Sequence, residues 1–65
     1  MSNRDNFDFL IEMHESVAWE TIQEYGFIPR VIRRNNIPIV CTRDNVPNRI
    51  NLRISSNIVE SYDLG

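Results

Sequence analysis

The chain has 65 residues, 42% hydrophobic and 25% charged, which allows one small α+β domain over 1–65 and fits a globular chain rather than a disordered one or a pair of domains. A single cysteine, Cys41, excludes an internal disulfide and a thiol zinc cluster. A single histidine, His14, excludes a two-histidine metal site, so neither metal nor other cofactor is expected. The net charge of −2 conceals a dipole: 1–24 hold Asp5, Asp8, Glu12, Glu15, Glu20 and Glu24 against Arg4, and 25–65 hold Arg30, Arg33, Arg34, Arg43, Arg49 and Arg53 against Asp44, Glu60 and Asp63.

The first element expected is a helix. Leu10, Met13, Val17, Ile22 and Tyr25, with Ala18 and Trp19 beside them, approximate one helical face. Ser2 with Asp5, or Ser16 alone, offers an N-cap, and Gly26 marks the end. Trp19 and Phe27 are expected as core anchors, since large aromatics dominate small cores. Ile28-Pro29-Arg30-Val31-Ile32-Arg33 reads as a strand, with Pro29 at its start where a missing donor is tolerated. Asn35-Asn36 is a turn signal. Arg49-Ile50-Asn51-Leu52-Arg53-Ile54 alternates, so Ile50, Leu52 and Ile54 face one side. Ser55-Ser56-Asn57 is a turn, and Ile58 to Tyr62 returns as an antiparallel strand.

Between the strands, Asn36 to Asn48 is long for a connection in a small domain. Ile37, Ile39, Val40 and Val46 are stiff and β-prone, and Pro38 and Pro47 fix two dihedrals. Such a segment, carrying Arg43, suits insertion into a groove that binds extended peptide. The plainer alternative makes Ile37 to Val40 another core strand and Arg43 a solvated residue.

Thr42-Arg43-Asp44-Asn45-Val46-Pro47-Asn48-Arg49-Ile50-Asn51 is similar to the Thr-x-Asp-x-x-Pro-Asp-Arg-hydrophobic-Asn pattern of bacterial and fungal relatives of the potato inhibitor I family of serine-protease inhibitors. Arg30-Val31-Ile32-Arg33 resembles that family's first strand. Asn57-Ile58-Val59-Glu60 and Gly65 resemble its last strand and terminal glycine, and Ser16 to Glu24 sits where the family has its single helix. The resemblance covers roughly half the chain, from about Val31 to Gly65.

The resemblance implies one helix packed on a small twisted sheet, with a wide loop on the side away from the helix. It implies a protease-binding loop of Val40, Cys41, Thr42, Arg43, Asp44, Asn45 and Val46. Arg43 would fill the specificity pocket of a trypsin-like serine protease, Arg43–Asp44 would be the target bond, and Arg49 and Asn51 would support the loop. Val46 departs from the family pattern, standing where many members carry a further loop-facing arginine. Asn51 stands where plant members have a second supporting arginine, although bacterial relatives often have asparagine. Asn48 replaces the usual aspartate. Arg49 is then the one clear brace, and too few braces would let the loop be cut as a substrate. Cys41, unusual before Thr42, is expected as a small half-buried loop residue rather than a reactive thiol.

Other readings use the same residues. The fold could serve as an interaction module for a non-protease protein, bound through the loop or sheet. Arg30, Arg33, Arg34, Arg49 and Arg53 could contact nucleic acid, which the net acidic charge disfavours. The plain expectation for the dipole is attraction between the halves, with some arginine forks bracing backbone. No Ser-His-Asp spacing, phosphate loop or zinc helix motif points to an enzyme. No apolar run approaches the roughly 18 residues that span a bilayer. Met1 to Asp5 lacks the basic flank and apolar core of a secretory signal, from which a cytoplasmic location is expected.

Overall fold

A computed structural model describes residues 7–42, 44 and 46–65. A 3-10 turn at Asp8–Leu10 is followed by helix α1 (Glu15–Glu24) and strands β1 (Ile28–Arg34), β2 (Ile37–Pro38), β3 (Arg49–Ser55) and β4 (Ile58–Leu64). The strands form one mixed sheet in the order β2-β1-β3-β4. β1 and β3 run parallel at its centre, and the two outer pairs are antiparallel hairpins. One helix packed on this sheet makes a small α+β domain.

Both hairpins turn through two residues with positive φ: Asn35 (52°) and Asn36 (68°), then Ser56 (53°) and Asn57 (67°). Such left-handed pairs match the right-handed strand twist, and Asn tolerates them well. The turns are also stitched together, since the Ser56 N–H donates to Asn35 Oδ1 at 2.9 Å.

Alternation on β3 divides the sheet into two faces. Ile50, Leu52 and Ile54 are buried with Leu10, Ala18, Ile22, Val59 and Phe7, as the period-2 pattern predicts. Each fully buried aliphatic side chain contributes about 1.5–3 kcal/mol. The odd-numbered residues Arg49, Asn51 and Arg53 lie on the opposite face.

The helix differs from its predicted form at its start and on its apolar face. Leu10 belongs to the preceding 3-10 turn, while Val17 and Tyr25 are exposed; Ala18 and Ile22 are the helix residues that enter the core. The N-cap is His14, not Ser16: its Nδ1 accepts from the Ser16 N–H at 3.2 Å. Ser2 and Asp5 lie outside the described residues. Gly26, at φ 82°, closes the helix in the left-handed conformation that glycine adopts without strain. Gly26 N–H reaches Gln23 O and Phe27 N–H reaches Ile22 O, the paired bonds of a Schellman end.

Trp19 is not a core anchor; it is 37% exposed on α1. The aromatic centre is Phe7, 3% exposed, with Phe27 at 5.0 Å, Tyr25 at 5.7 Å and Tyr62 at 6.4 Å between ring centroids. Phe27 packs against the core from a partly buried position. Nor is Ile37 to Val40 a core strand: β2 has two residues on the sheet edge, Ile37 is 66% exposed and Val40 fully so.

A bulge in β1 decides where its arginines go. Ile32 is an extra residue between the Val31–Leu52 and Arg33–Arg53 pairs, and an extra residue reverses the faces beyond it. Arg30 therefore shares a face with Asn51, whereas Arg34 pairs beside Ile54 on the helix side. Arg34 makes a two-pronged contact with Glu15 in the first turn of α1, at 2.7 and 2.6 Å. That pair joins the acidic and basic halves. The other ion pairs among the described residues stay within the second half: Arg30–Asp44, Arg33–Glu60, Arg49–Asp44 and Arg53–Asp63.

Candidate functional site

The polar face of the sheet carries the site. Arg49 opens β3 and is 8% exposed, although it is charged. A guanidinium is rarely buried unless its donors are taken. Here its Nη2 donates to the backbone oxygen of Asp44 at 2.9 Å and of Gly65 at 3.0 Å. The same fork approaches the Asp44 carboxylate at 3.4 and 3.5 Å. One side chain thus ties the segment after position 43 to both β3 and the end of β4.

A second arginine, Arg30 on β1, reaches the segment before position 43. Its Nη1 donates to Thr42 Oγ1 at 3.3 Å and Thr42 O at 3.5 Å, and lies 3.9 Å from Asp44. Thr42 Oγ1 also donates to Asp44 Oδ1. The residues on either side of position 43 are therefore joined to each other and held by arginines from two neighbouring strands. The Asp44 carboxyl is kept below the usual carboxylate range, chiefly by the Thr42 hydroxyl and next by the Arg49 guanidinium.

Sequence reading missed Arg30 as a support, and Arg49 is not the sole brace. The strand pairing explains the omission: Arg30 stands opposite Asn51 in the parallel β1–β3 register, a contact that local alternation cannot reveal. Asn51, expected to support the loop, does so at one remove. It is 7% exposed, and its Oδ1 accepts from Arg30 Nε at 3.1 Å.

The remaining predicted residues divide. Val40 projects fully into solvent. Cys41 is half-buried and donates its thiol to Ile39 O at 3.2 Å, apart from the arginine contacts. Val46 is half-buried; its N–H reaches Gly65 O at 3.4 Å and its carbonyl accepts from the Arg49 N–H at 3.2 Å. Arg43 and Asn45 lie outside the described residues. Among the described residues no three metal-ligating side chains cluster, and no helix is long and apolar enough to cross a membrane.

Comparison of the chain with family models, with curated proteins and with solved structures finds no match in any of the three.

Proposed function

We propose that this domain is a substrate-like inhibitor of a serine protease with a preference for arginine, resembling the potato inhibitor I family, with Arg43–Asp44 as the target bond. The observation that carries the reading is the double tie on the neighbours of Arg43: Arg30 on Thr42, and Arg49 on Asp44.

The chemistry needs such ties. The protease serine Oγ attacks the Arg43 carbonyl carbon, the bond to the Asp44 nitrogen breaks, and a proton passes to that nitrogen. Hydrolysis finishes only if the new amine departs and water takes its place. With Asp44 held by Arg49, the amine stays beside the acyl ester. It can attack the same carbon, expel the serine oxygen and restore the peptide bond. With Thr42 held by Arg30, the acyl half is retained as well. Holding both halves in reacting geometry favours the intramolecular return over attack by water.

Arg43 supplies a guanidinium for a pocket with a carboxylate at its base, where a desolvated two-pronged contact is strong. Val40 and Ile39, three and four residues earlier in the chain, add exposed apolar surface. That surface would equally serve a non-protease protein partner, which is the second reading. The arginines offer less to nucleic acid: Arg30, Arg33, Arg34, Arg49 and Arg53 each face a carboxylate.

The test is titration of a panel of serine proteases with the wild-type protein and with Arg43→Ala. Wild type should inhibit trypsin-like members, and the variant should lose potency by orders of magnitude while remaining folded by circular dichroism. Equal potency of the two would reject Arg43, and inhibition of none would favour the non-protease module.

A further inference from the structure

Arg30 and Arg49 hold the segment by different means. Arg49 is buried and makes its two shortest contacts, 2.9 and 3.0 Å, to backbone oxygens. Arg30 meets its targets at 3.3 Å and beyond, so its grip depends on what aims it. Its shortest hydrogen bond, 3.1 Å, runs the other way, to Asn51 Oδ1.

Asn51 is itself fixed. Its Nδ2 donates to Asp63 Oδ1 at 3.1 Å. Guanidinium only donates and carboxylate only accepts, so one amide orientation satisfies both neighbours and the flipped one satisfies neither. Asp63 is held in turn by Arg53, whose Nη2 meets its Oδ2 at 2.7 Å and whose Nη1 reaches Ser61 Oγ at 3.4 Å. Burial pushes the Asp63 carboxyl up, but Arg53 and Asn51 outweigh it and hold it low, so the acceptor stays charged. The register places Arg30, Asn51 and Asp63 in one row across β1, β3 and β4.

From this row we infer that Asn51, Asp63 and Arg53 are positioning residues that aim Arg30 at Thr42, and so set how slowly the bond after position 43 is hydrolysed. The inference rests on the inhibitor reading for its functional consequence, but not for its physical content. The relay begins on β4, on the far side of β3 from Arg30, so substitutions two strands from β1 act on the segment around Thr42.

The test compares wild type, Arg30→Ala, Asn51→Ala and the double variant. Asp63→Asn serves as a milder version that leaves the buried Asn51 position intact. One readout is the turnover rate of the 43–44 bond in a trypsin-like protease. The other, free of protease, is amide hydrogen exchange at Ile39 and Val46, the hydrogen-bonded amides that flank the tied segment. Each single alanine variant should raise both rates about tenfold, the worth of one hydrogen bond to a charged group. The double variant should exceed neither single one, and Asp63→Asn should move both rates the same way by about threefold. Acceleration should be confined to 39 and 46; exchange raised along all of β3 and β4 would mark general destabilisation and overturn the inference. About a hundredfold effect in the double variant, or wild-type exchange in both Asn51→Ala and Asp63→Asn, would overturn it too. Should Asn51→Ala fail to fold, Asp63→Asn decides. If wild type inhibits no protease, the functional reading fails, while the exchange rates still decide the relay.

Discussion

The two faces of β3 use the same backbone for different ends. Ile50, Leu52 and Ile54 are buried among aliphatic side chains from α1 and β4, where any well-packed apolar group of similar volume serves. Arg49, Asn51 and Arg53 face the other way and act through directed hydrogen bonds with named partners. The comparison teaches that core packing and loop geometry are specified by different means in this domain. The first depends on area and volume, the second on donor and acceptor placement.

The largest expected effect breaks the apolar face. Leu52→Ala should cost about 3 kcal/mol, a large share of what a domain this small possesses, and urea unfolding should show the midpoint collapse. Arg49→Ala comes next. It removes charge-assisted bonds to Asp44 and Gly65 and should cost about 2 kcal/mol, with faster cutting near Asp44 seen by mass spectrometry. Arg30→Ala sharpens the contrast, since its contacts are long and partly exposed. It should cost under about 1 kcal/mol on unfolding while still speeding the cut.

Acid probes the ion pairs of both faces and leaves the apolar packing alone. Glu15, held low chiefly by Arg34, and Asp44 and Asp63 have carboxyls below their ordinary values. Folded pKa values below the unfolded ones mean that their contribution is present above the unfolded values, near 4, and is lost as pH falls through the folded ones. Unfolding midpoints should be flat from neutrality to about pH 5 and then decline. The decline should be shallower in Asp63→Asn. The smallest effect belongs to Asn57→Gly, which relieves a left-handed turn residue and should raise the unfolding free energy by about 0.5 kcal/mol.

Much of the fold was legible because its signals are local. Alternation in Arg49 to Ile54, the Asn35-Asn36 and Ser56-Asn57 turns and Gly26 each determine their own surroundings within a few residues. The helix was harder to read. His14 caps it through a ring nitrogen, and its core face has just two buried residues, so the apolar face drawn through Val17 and Tyr25 followed spacing into solvent. Trp19 shows that size alone does not assign a residue to the core. At the site, Arg49 and Asp44 were legible through the family resemblance, because one short motif, Thr42 to Asn51, contains both. Arg30 was not, because its role depends on a parallel pairing across 21 residues and on a bulge at Ile32 that sends Arg30 and Arg34 to opposite faces.

The most direct test of the two-arginine clamp is to follow trypsin and the wild-type protein together by time-resolved mass spectrometry, starting once from intact and once from cut protein. The clamp predicts a single slow cut between Arg43 and Asp44, with both reactions converging on the same mixture of intact and cut chains. Rapid, complete digestion at that bond, with no return from the cut form, would contradict it.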